Sequence, residues 1–308
     1  MAKLRKLDKT ITWPLPTQCL IGRSKVCQLQ IDEPVVSGEH ALLRWRGGVW
    51  ELQDLHSRNG TYVNGEVLVP GGKIGLDQGA HLGFGGPRGA FVFDADPPQP
   101  FAVAVDSPTQ FVEASGGLLT LPSVDAPELA VLSRDGDWWL ESEDRVEAIG
   151  DGDVIDSSSG RWRLHLPEPI PPTEDADGAI LTLSSIKLSF VVGRERELLE
   201  FAVARGSRKI SLKPRSHHTP LLALAELRAN AGSLAEDEQG WIEQDDLLQR
   251  LGYNSGRLHV EIHRIRSELT KVGVIDAVHA IERLPGTRKL RIGVSAFEFI
   301  ESSASAGA

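Results

Sequence analysis

The chain has 308 residues, of which 41% are hydrophobic, so it is long enough to bury a sizeable core and to form two or three domains. Its apolar runs are far shorter than the ~20 residues that span a bilayer, and its start lacks the apolar stretch of a signal peptide. These features exclude a membrane-spanning protein and predict a cytoplasmic one. The two cysteines, Cys19 and Cys27, match neither a disulfide framework nor a zinc-ligand pattern.

The formal net charge of −10 is distributed unevenly along the chain. Residues 1–179 carry −12, whereas residues 180–300 carry +3. The acidic N-terminal part argues against nucleic-acid binding there, because phosphate backbones repel carboxylates. The last third of the chain is therefore electrostatically distinct from the rest.

Short β-type runs alternate with turn residues between Thr17 and Asp94, which predicts a sandwich or a barrel. The run Ala95 to Pro100 then interrupts regular structure, because proline donates no backbone hydrogen bond. A second series of β-type runs predicts a small all-β middle domain over 101–168. The acidic, proline-rich stretch 169–179 is predicted to be a linker.

After Ile180 the apolar period changes from that of strands to that of helices. Helices are predicted over His217 to Ala231, Asp245 to Leu251 and Gly256 to Val272. The third carries a continuous apolar stripe, formed by Leu258, Ile262, Ile265 and Leu269. Ala280 to Val294 then has the pattern of a β-hairpin, and residues 301–308 form a tail.

Three turn segments of the first β region combine into one motif. Gly22-Arg23 follows the first run, Ser37-Gly38-Glu39-His40 precedes the second, and Asn59-Gly60-Thr61 is followed by Val63-Asn64-Gly65. In order and spacing this motif resembles the forkhead-associated (FHA) domain. The resemblance implies an all-β sandwich over residues 1–97 that binds phosphothreonine. Two short echoes of this region in 101–168 suggest that the middle domain is a degenerate FHA-like repeat.

The resemblance implies that five residues contact the phosphopeptide: Arg23, Ser37, Arg58, Asn59 and Asn64. A guanidinium presents its donors in a rigid fork that suits a phosphate dianion, and a serine hydroxyl adds a donor. The asparagine amides both donate and accept, so they suit a peptide backbone. The resemblance further implies that a small pocket holds the threonine methyl group.

Four further residues are implied to shape the site rather than touch the ligand: Gly22, His40, Gly60 and Thr61. His40 is expected to brace the loop of Ser37. Gly38 departs from the family, since many members carry arginine after the serine, and the missing charge would weaken binding. The alternative interpretation is that these are ordinary turn residues of a β-sandwich.

Residues 180–300 resemble the winged-helix effector domains of bacterial response regulators, with Gly256 to Val272 as the recognition helix and Ala280 to Val294 as the wing. Base contacts would come from Arg257, His259, Glu261 and Arg264. Phosphate contacts would come from Arg266, Arg288, Lys289 and Arg291.

Two carboxylates, Glu261 and Glu268, oppose DNA binding by this helix, and Arg264 lies at ion-pair spacing from both. The alternative is that the helix packs by its apolar stripe and that the winged helix binds protein. His217-His218 and the cationic Lys213-Pro214-Arg215 have no nearby metal-ligand pattern and are interpreted as loop and helix-start residues.

No nucleophile elbow, catalytic carboxylate pair or metal-binding helix is recognisable, so we expect a protein that is not an enzyme and needs no cofactor or metal. The sequence thus predicts a multidomain protein with an all-β FHA-type sandwich, a small all-β domain and an α+β winged helix. Its predicted function is phosphothreonine-dependent signalling on a Ser/Thr-kinase product, with transcription regulation as one output and a phosphopeptide-reading scaffold as the alternative. The predicted partners are a phosphothreonine-containing protein, DNA, or a second copy of the chain, and not a membrane.

Overall fold

The structure is a computed structural model that describes residues 1–7, 11–88, 90–169, 180–194 and 196–302. Contacts divide the chain into two compact units. Unit 1 comprises Met1–Glu113 and Gly150–Glu168, and unit 2 comprises Ala114–Ile149 and Pro169–Ala308. The predicted linker 169–179 and tail 301–308 fall almost entirely outside the described residues.

Unit 1 begins with a β-sandwich of eleven strands in two sheets. The strands are β1 (Lys3–Lys6), β2 (Thr12–Pro14), β3 (Gln18–Gly22), β4 (Leu29–Gln30), β5 (Ala41–Arg46), β6 (Val49–Asp54), β7 (Thr61–Val63), β8 (Glu66–Val67), β9 (Lys73–Leu76), β10 (His81–Phe84) and β11 (Phe91–Asp94). One sheet has the order β2-β1-β11-β10-β7-β8 and the other β4-β3-β5-β6-β9.

The sandwich core forms because alternate residues of each strand point inward. In β6, for example, Trp50 and Leu52 are buried while their neighbours are more exposed. The Trp50 ring meets Phe93 of the other sheet edge to face, with 6.0 Å between ring centroids. Trp50 also donates its indole N–H to the carbonyl of Asp96, which fixes the chain after β11.

A second, four-stranded sheet of unit 1 has the order β13-β12-β19-β18. Its strands are β12 (Phe101–Ala104), β13 (Ser107–Glu113), β18 (Val154–Ser157) and β19 (Gly160–His165). Phe101 and Trp162 are its most deeply buried aromatic side chains. The intervening strands belong to unit 2, where β14 (Leu119–Pro122), β15 (Pro127–Arg134), β16 (Asp137–Glu141) and β17 (Val146–Ile149) form a sheet in chain order.

The segment 101–168, predicted as one small β domain, therefore contributes strands to both compact units. The described strands of this segment, β12 to β19, lie in two four-stranded sheets, one in each unit. The turn spacing that predicts strands does not identify the elements against which they pack, and this is why the division was not visible in the sequence.

The rest of unit 2 combines a sheet of order β22-β21-β20-β26 with three helices and a three-stranded sheet of order β23-β25-β24. The four-stranded sheet contains β20 (Lys187–Val192), β21 (Leu198–Arg205), β22 (Arg208–Leu212) and β26 (Phe297–Glu301). Between β22 and β26 follow α1 (His218–Asn230), β23 (Ile242–Glu243), α2 (Gln244–Leu251), α3 (Ser255–Lys271), a short 3-10 helix (Ala277–His279), β24 (Ile281–Arg283) and β25 (Lys289–Ile292).

Helix α3 buries the predicted apolar stripe, which is thereby confirmed: its four residues are at most 2% exposed. Asn254 caps the helix, because its side chain accepts a hydrogen bond from the backbone N–H of Arg257 over 2.8 Å. Among the described residues, no helix is both long enough and apolar enough to cross a bilayer.

Candidate functional site

Strand pairing brings three turns of the sandwich to one end of a sheet. Ile21 of β3 pairs with Ala41 of β5, which pairs with Asp54 of β6. Gly22, His40 and Leu55 are the next residues outward from these partners, and Leu55 donates its N–H to the carbonyl of His40 over 2.9 Å. The predicted motif residues are therefore collected by the register of the sheet.

The first two turns are hydrogen-bonded directly to each other. The backbone N–H of Arg23 donates to the carbonyl of Ser37 over 2.9 Å, and its Nε donates to the carbonyl of Val36 over 3.3 Å. Gly22 makes this approach possible, because a Cβ at that position would lie 2.3 Å from the carbonyl oxygen of Gly38. The rest of the Arg23 guanidinium is exposed at this end of the sandwich.

Ser37 joins the second turn to the third. Its Oγ accepts a hydrogen bond from the backbone N–H of Arg58 over 3.0 Å. Since the hydroxyl uses its oxygen as an acceptor here, its proton stays available for donation to a ligand. Ser37 is partly exposed, and the Arg58 side chain is exposed beside it.

The buried side chain of His40 fixes the Ser37 turn. Its Nδ1 accepts the backbone N–H of Ser37 over 3.0 Å, so the ring proton lies on Nε2, which donates to the carbonyl of Gly60 over 3.2 Å. The side chain is fully buried, and this burial lowers the pKa of His40 below its ordinary value. A neutral imidazole therefore connects the second and third turns.

Asn59 lies at the tip of the third turn. Its Nδ2 donates to the carbonyl of Val35 over 2.8 Å, which leaves its amide oxygen and second N–H for other partners. Gly60 follows with a φ of +83°, a left-handed conformation that glycine adopts without strain, and its carbonyl also accepts the N–H of Gly85.

Asp54 is a site residue that sequence reasoning missed. Its carboxylate is almost completely buried and accepts hydrogen bonds from the hydroxyls of Ser57 and Thr61, at 2.6 and 2.7 Å, and from the N–H groups of Ser57 and Gly71. Burial raises its pKa, but these hydrogen bonds outweigh burial and leave the pKa lowered. Its partners Thr61 and Gly71 lie 7 and 17 residues farther along the chain, so no local pattern marks this carboxylate.

Asn64 lies farther along the chain, in the turn between β7 and β8. Its backbone is left-handed, with a φ of +53°, and its Oδ1 accepts the N–H of His81 over 2.9 Å. The side-chain oxygen thus holds the start of β10, and the amide N–H₂ has no partner printed among the described residues. The predicted peptide contact by Asn64 stays a prediction.

The charges at this end of the sandwich are uncompensated. Within the described part of the chain, no carboxylate lies within ion-pair distance of Arg23 or Arg58, and both side chains are exposed. Arg23 and Arg58 are thus both hydrogen-bonded through their backbone N–H groups to Ser37, and both carry exposed guanidinium groups. Such a set suits a compact dianion.

Comparison with known proteins identifies the domain that contains these turns. Residues 19–85 match the family model of the FHA domain. The chain carries an N-terminal FHA domain. No match to the chain was found among curated proteins.

Solved FHA structures match about a third of the chain. A domain from a study of phosphothreonine-dependent FHA interactions is 27% identical, covering 32% of this chain and 98% of its own, with a TM-score of 0.28. Mycobacterium tuberculosis EmbR, in complex with a low-affinity phosphopeptide, is 25% identical over 32% of this chain and 25% of its own, with a TM-score of 0.29. The FhaA FHA domain, complexed with an intracellular domain, is 28% identical over 31% of this chain and 100% of its own, with a TM-score of 0.27.

Three of the residues predicted to contact DNA are buried, whereas the prediction required them to be exposed. His259, Glu261 and Arg266 of α3 are buried, with exposures of 5%, 3% and 2%, and they cannot reach a ligand from solvent in this conformation. The helical period predicted an exposed face opposite the apolar stripe. The β14 to β17 sheet of the same unit packs against the side of α3 that carries His263 and Arg266, whereas the side chain of Arg264 stays 53% exposed.

The remaining predicted DNA contacts are more accessible but mostly paired. Arg288 donates to Asp245 over 2.9 Å, Lys289 lies 3.8 Å from Glu243, and Arg291 donates to Glu282 over 2.6 Å. Arg264, with a side chain 53% exposed, lies 3.4 Å from Glu261. Arg257 is exposed and stacks on the ring of Tyr253, 3.8 Å from its centroid.

A second polar cluster of unit 2 joins α1 to α3. His217 Nε2 and His218 Nε2 lie 2.8 and 2.5 Å from one carboxylate oxygen of Glu268. Two histidines and a glutamate are a metal-ligating combination, and the sequence did not indicate it because the glutamate lies about fifty residues away. However, His218 Nδ1 accepts the N–H of Arg215, which places the ring proton on Nε2, toward Glu268, where a metal would need a lone pair. The arrangement suits a hydrogen-bonded cluster better than a metal centre.

Proposed function

We propose that the FHA domain of this protein binds a phosphothreonine side chain of a partner protein. The observation that carries the proposal is the hydrogen bonding of Ser37. Its Oγ accepts the N–H of Arg58, and its hydroxyl proton has no acceptor among the described residues. A phosphate oxygen next to Ser37 would accept that proton, and the guanidinium groups of Arg23 and Arg58 have no carboxylate partner among the described residues. The phosphothreonine-dependent interactions of a similar FHA domain agree with this reading.

In this proposal Arg23 and Arg58 neutralise the phosphate and Asn59 holds the peptide backbone through its free amide groups. Phosphorylation changes the partner by about −2 charges, a difference large enough to switch a weak contact on. In this proposal the partner is a product of a Ser/Thr kinase. In this proposal the site binds and releases its ligand without catalysing a reaction.

Titration of the full chain with paired phosphothreonine and threonine peptides, drawn from a degenerate library, tests the proposal. Arg23→Ala is expected to weaken binding of the phosphorylated peptide by about tenfold to a hundredfold, since charge-assisted hydrogen bonds contribute about 1.5–3 kcal/mol. Arg46→Ala is the matched control, because Arg46 is also exposed and ends the strand that begins at the site. Equal affinity of the native protein for both peptides would refute the proposal.

We infer that residues 180–300 form an output module of the winged-helix type. The order helix, strand, helix, helix, hairpin in α1 to β25 supports this inference, as does the buried stripe of α3. In the conformation described, the burial of His259, Glu261 and Arg266 favours a module that contacts protein over one that reads DNA. A phosphopeptide-reading scaffold is therefore the function we propose for this conformation.

A further inference from the structure

Strand β26 lies at the edge of its sheet and runs parallel to β20. Two hydrogen bonds set the phase of this ladder. At one end the N–H of Leu188 donates to the carbonyl of Ala296 over 3.0 Å, and at the other end the N–H of Ser302 donates to the carbonyl of β20 at Val192 over the same distance. Because backbone groups alternate in direction along a strand, every second residue between these ends turns its N–H and C=O groups away from β20. These residues are Phe297, Phe299 and Glu301.

The open edge of β26 is more apolar than an edge that stays unpaired. Phe299 is 40% exposed and Ile300 is 41% exposed, and within the described part of the chain no further strand pairs with β26 on this side. The opposite edge strand, β22, instead begins with the exposed cations Arg208 and Lys209. Cationic side chains on an edge discourage pairing with another strand, whereas exposed apolar ones favour it. The sheet therefore has one protected edge and one edge suited to a further strand.

The sequence of β26 is complementary to itself in an antiparallel register. When Phe299 is placed opposite its own copy, Phe297 faces Glu301. In the same register Glu298 faces Ile300. All three outward residues then fall in hydrogen-bonded pairs, each of which exchanges two bonds. Centring the register on Glu298 or Ile300 would leave one outward residue of each strand without a partner in the other, so the complete pairing requires a two-fold axis at Phe299.

This register also keeps like charges apart. Neither Glu298 nor Glu301 lies directly opposite another carboxylate, an arrangement that would be destabilising. Within one copy, Glu298 Oε1 lies 3.7 Å from Lys187 Nζ of β20. Two copies of this acidic strand can therefore meet without a direct charge conflict.

A cleft of about 960 Å³ beside β26 gives room for the side chains of a second strand. It is lined by Phe299 and Ile300 of β26 and by Ala229 and Asn230 at the end of α1. Phe299 stacks on the buried Phe190, with 5.6 Å between ring centroids, so it projects on the side of the sheet that carries α1. Since cross-strand pairs share one face of a sheet, a second copy would place its own phenylalanines on this side, against the cleft.

We propose that β26 pairs antiparallel with β26 of a second copy of this chain, so that two four-stranded sheets join into one sheet of eight strands. The two-fold axis passes between the two copies of Phe299, and each strand buries exposed apolar side chains of the other. Such an interface uses the same surface on both copies, so assembly ends at the dimer. Each dimer carries two FHA domains.

Sedimentation velocity of the full chain over a range of concentrations tests the proposal, with a reversible monomer–dimer equilibrium as the expected result. Phe299→Glu and Phe299→Lys each remove the aromatic pair and set like charges opposite each other at the axis. Each is expected to raise the dimer dissociation constant at least about tenfold. An equimolar mixture of the two variants sets opposite charges face to face and is expected to recover most of the dimer. Leu199→Lys is the control, because Leu199 is a 43% exposed apolar residue of β21 in the same sheet.

Cysteine cross-linking keeps the test decisive if the charged variants do not fold. In the proposed register the two Cα atoms of a Phe299→Cys pair are about 5.5 Å apart, within disulfide reach. Ile300→Cys is the matched control, because Ile300 is similarly exposed but its two copies are diagonal neighbours about 7–8 Å apart, beyond that reach. Both native cysteines, Cys19 and Cys27, are buried. Mild oxidation is expected to link Phe299→Cys into dimers at least about tenfold faster than Ile300→Cys.

Three results would overturn the proposal. One is a native chain that stays monomeric at every concentration, which would leave an extended segment of another protein as the occupant of this edge. Another is a mixture of Phe299→Glu and Phe299→Lys that associates no better than either variant alone. The third is equal cross-linking of Phe299→Cys and Ile300→Cys. Dimers that persist unchanged in both charged variants would likewise place self-association on another surface.

Discussion

Thr61 donates its hydroxyl proton to the carboxylate of Asp54 over 2.7 Å, and neither residue is more than 1% exposed. This carboxylate also fixes Ser57 and Gly71, so it holds the turn that presents Arg58 and Asn59. Asp54→Ala is therefore expected to lower the free energy of unfolding by about 2–4 kcal/mol, because several buried donors lose their acceptor. Chemical denaturation gives this value, and peptide titration should show weaker phosphothreonine binding.

Asp106→Ala is the control for this prediction. Asp106 is an exposed aspartate in the turn between β12 and β13, in the same compact unit. Its removal is expected to change the free energy of unfolding by no more than about 0.5 kcal/mol. Similar effects of the two substitutions would mean that Asp54 does not organise the turn.

Acid is expected to destabilise unit 2 through His259. Burial, reinforced by the nearby Arg283, lowers the pKa of His259 to about 4 from an ordinary value of 6.5. A lowered folded-state pKa gives a stabilising contribution that is present above pH 6.5 and is lost as the pH falls toward about 4. At about 1.4 kcal/mol for each pH unit, the loss is about 3 kcal/mol.

The measurement is the free energy of unfolding between pH 7 and pH 4, compared with the His259→Leu variant. Leucine fills a similar volume. The buried Nε2 of His259 has no hydrogen-bond partner among the described residues, so the substitution breaks no hydrogen bond of that atom. The variant should lose about 3 kcal/mol less than the native protein over this range. Parallel pH profiles would contradict the prediction.

Glu268 is expected to stabilise the join between α1 and α3 as a hydrogen-bond acceptor. Glu268→Ala removes the acceptor of His217 and His218 and should cost about 2–3 kcal/mol, whereas Glu268→Gln keeps an acceptor oxygen and should cost about 1 kcal/mol. Thermal unfolding with and without added Zn²⁺ checks the role. A rise in Tm with Zn²⁺ that Glu268→Gln abolishes would assign a metal site instead.

Local patterns in the sequence were enough to identify the FHA domain. Gly22, Ser37 and Asn59 lie in turns bounded by recognisable strands, and the sheet register brings the first two of these turns to one end of the sheet. The apolar stripe of α3 was predictable for the same reason, since its period is a local property.

Contacts between distant segments were not predictable in this way. Glu141 and Arg266 are 125 residues apart, and neither carries a local signal of its partner. Glu261 likewise carries no local signal of its burial, and the charged face of α3 was therefore interpreted as solvent-exposed. Asp54 was missed because its role depends on Gly71, which the chain brings back only after two further strands.

Gly22 is expected to tolerate no side chain. A Cβ there would lie 2.3 Å from the carbonyl oxygen of Gly38, which is backbone and cannot rotate away, so Gly22→Ala must separate the Arg23 and Ser37 turns. Phosphothreonine-peptide affinity should fall by at least about tenfold as the donors lose their alignment. Gly75→Ala is the control, since a Cβ on Gly75 would have no atom within 4 Å. Equal affinities of the two variants would contradict the prediction.

Gly38 offers the opposite test, in which a side chain is added at the site. A Cβ on Gly38 would have no atom within 4 Å, and the residue is exposed beside Ser37. Gly38→Arg supplies the cation that this domain lacks after its serine, and an exposed guanidinium near a phosphate dianion is expected to add about 0.5–1 kcal/mol, or about twofold to fivefold in affinity. Gly38→Ala should leave the affinity unchanged, because it tests the backbone without the charge. A gain with alanine equal to that with arginine would show that backbone stiffening, and not electrostatics, limits binding at this site.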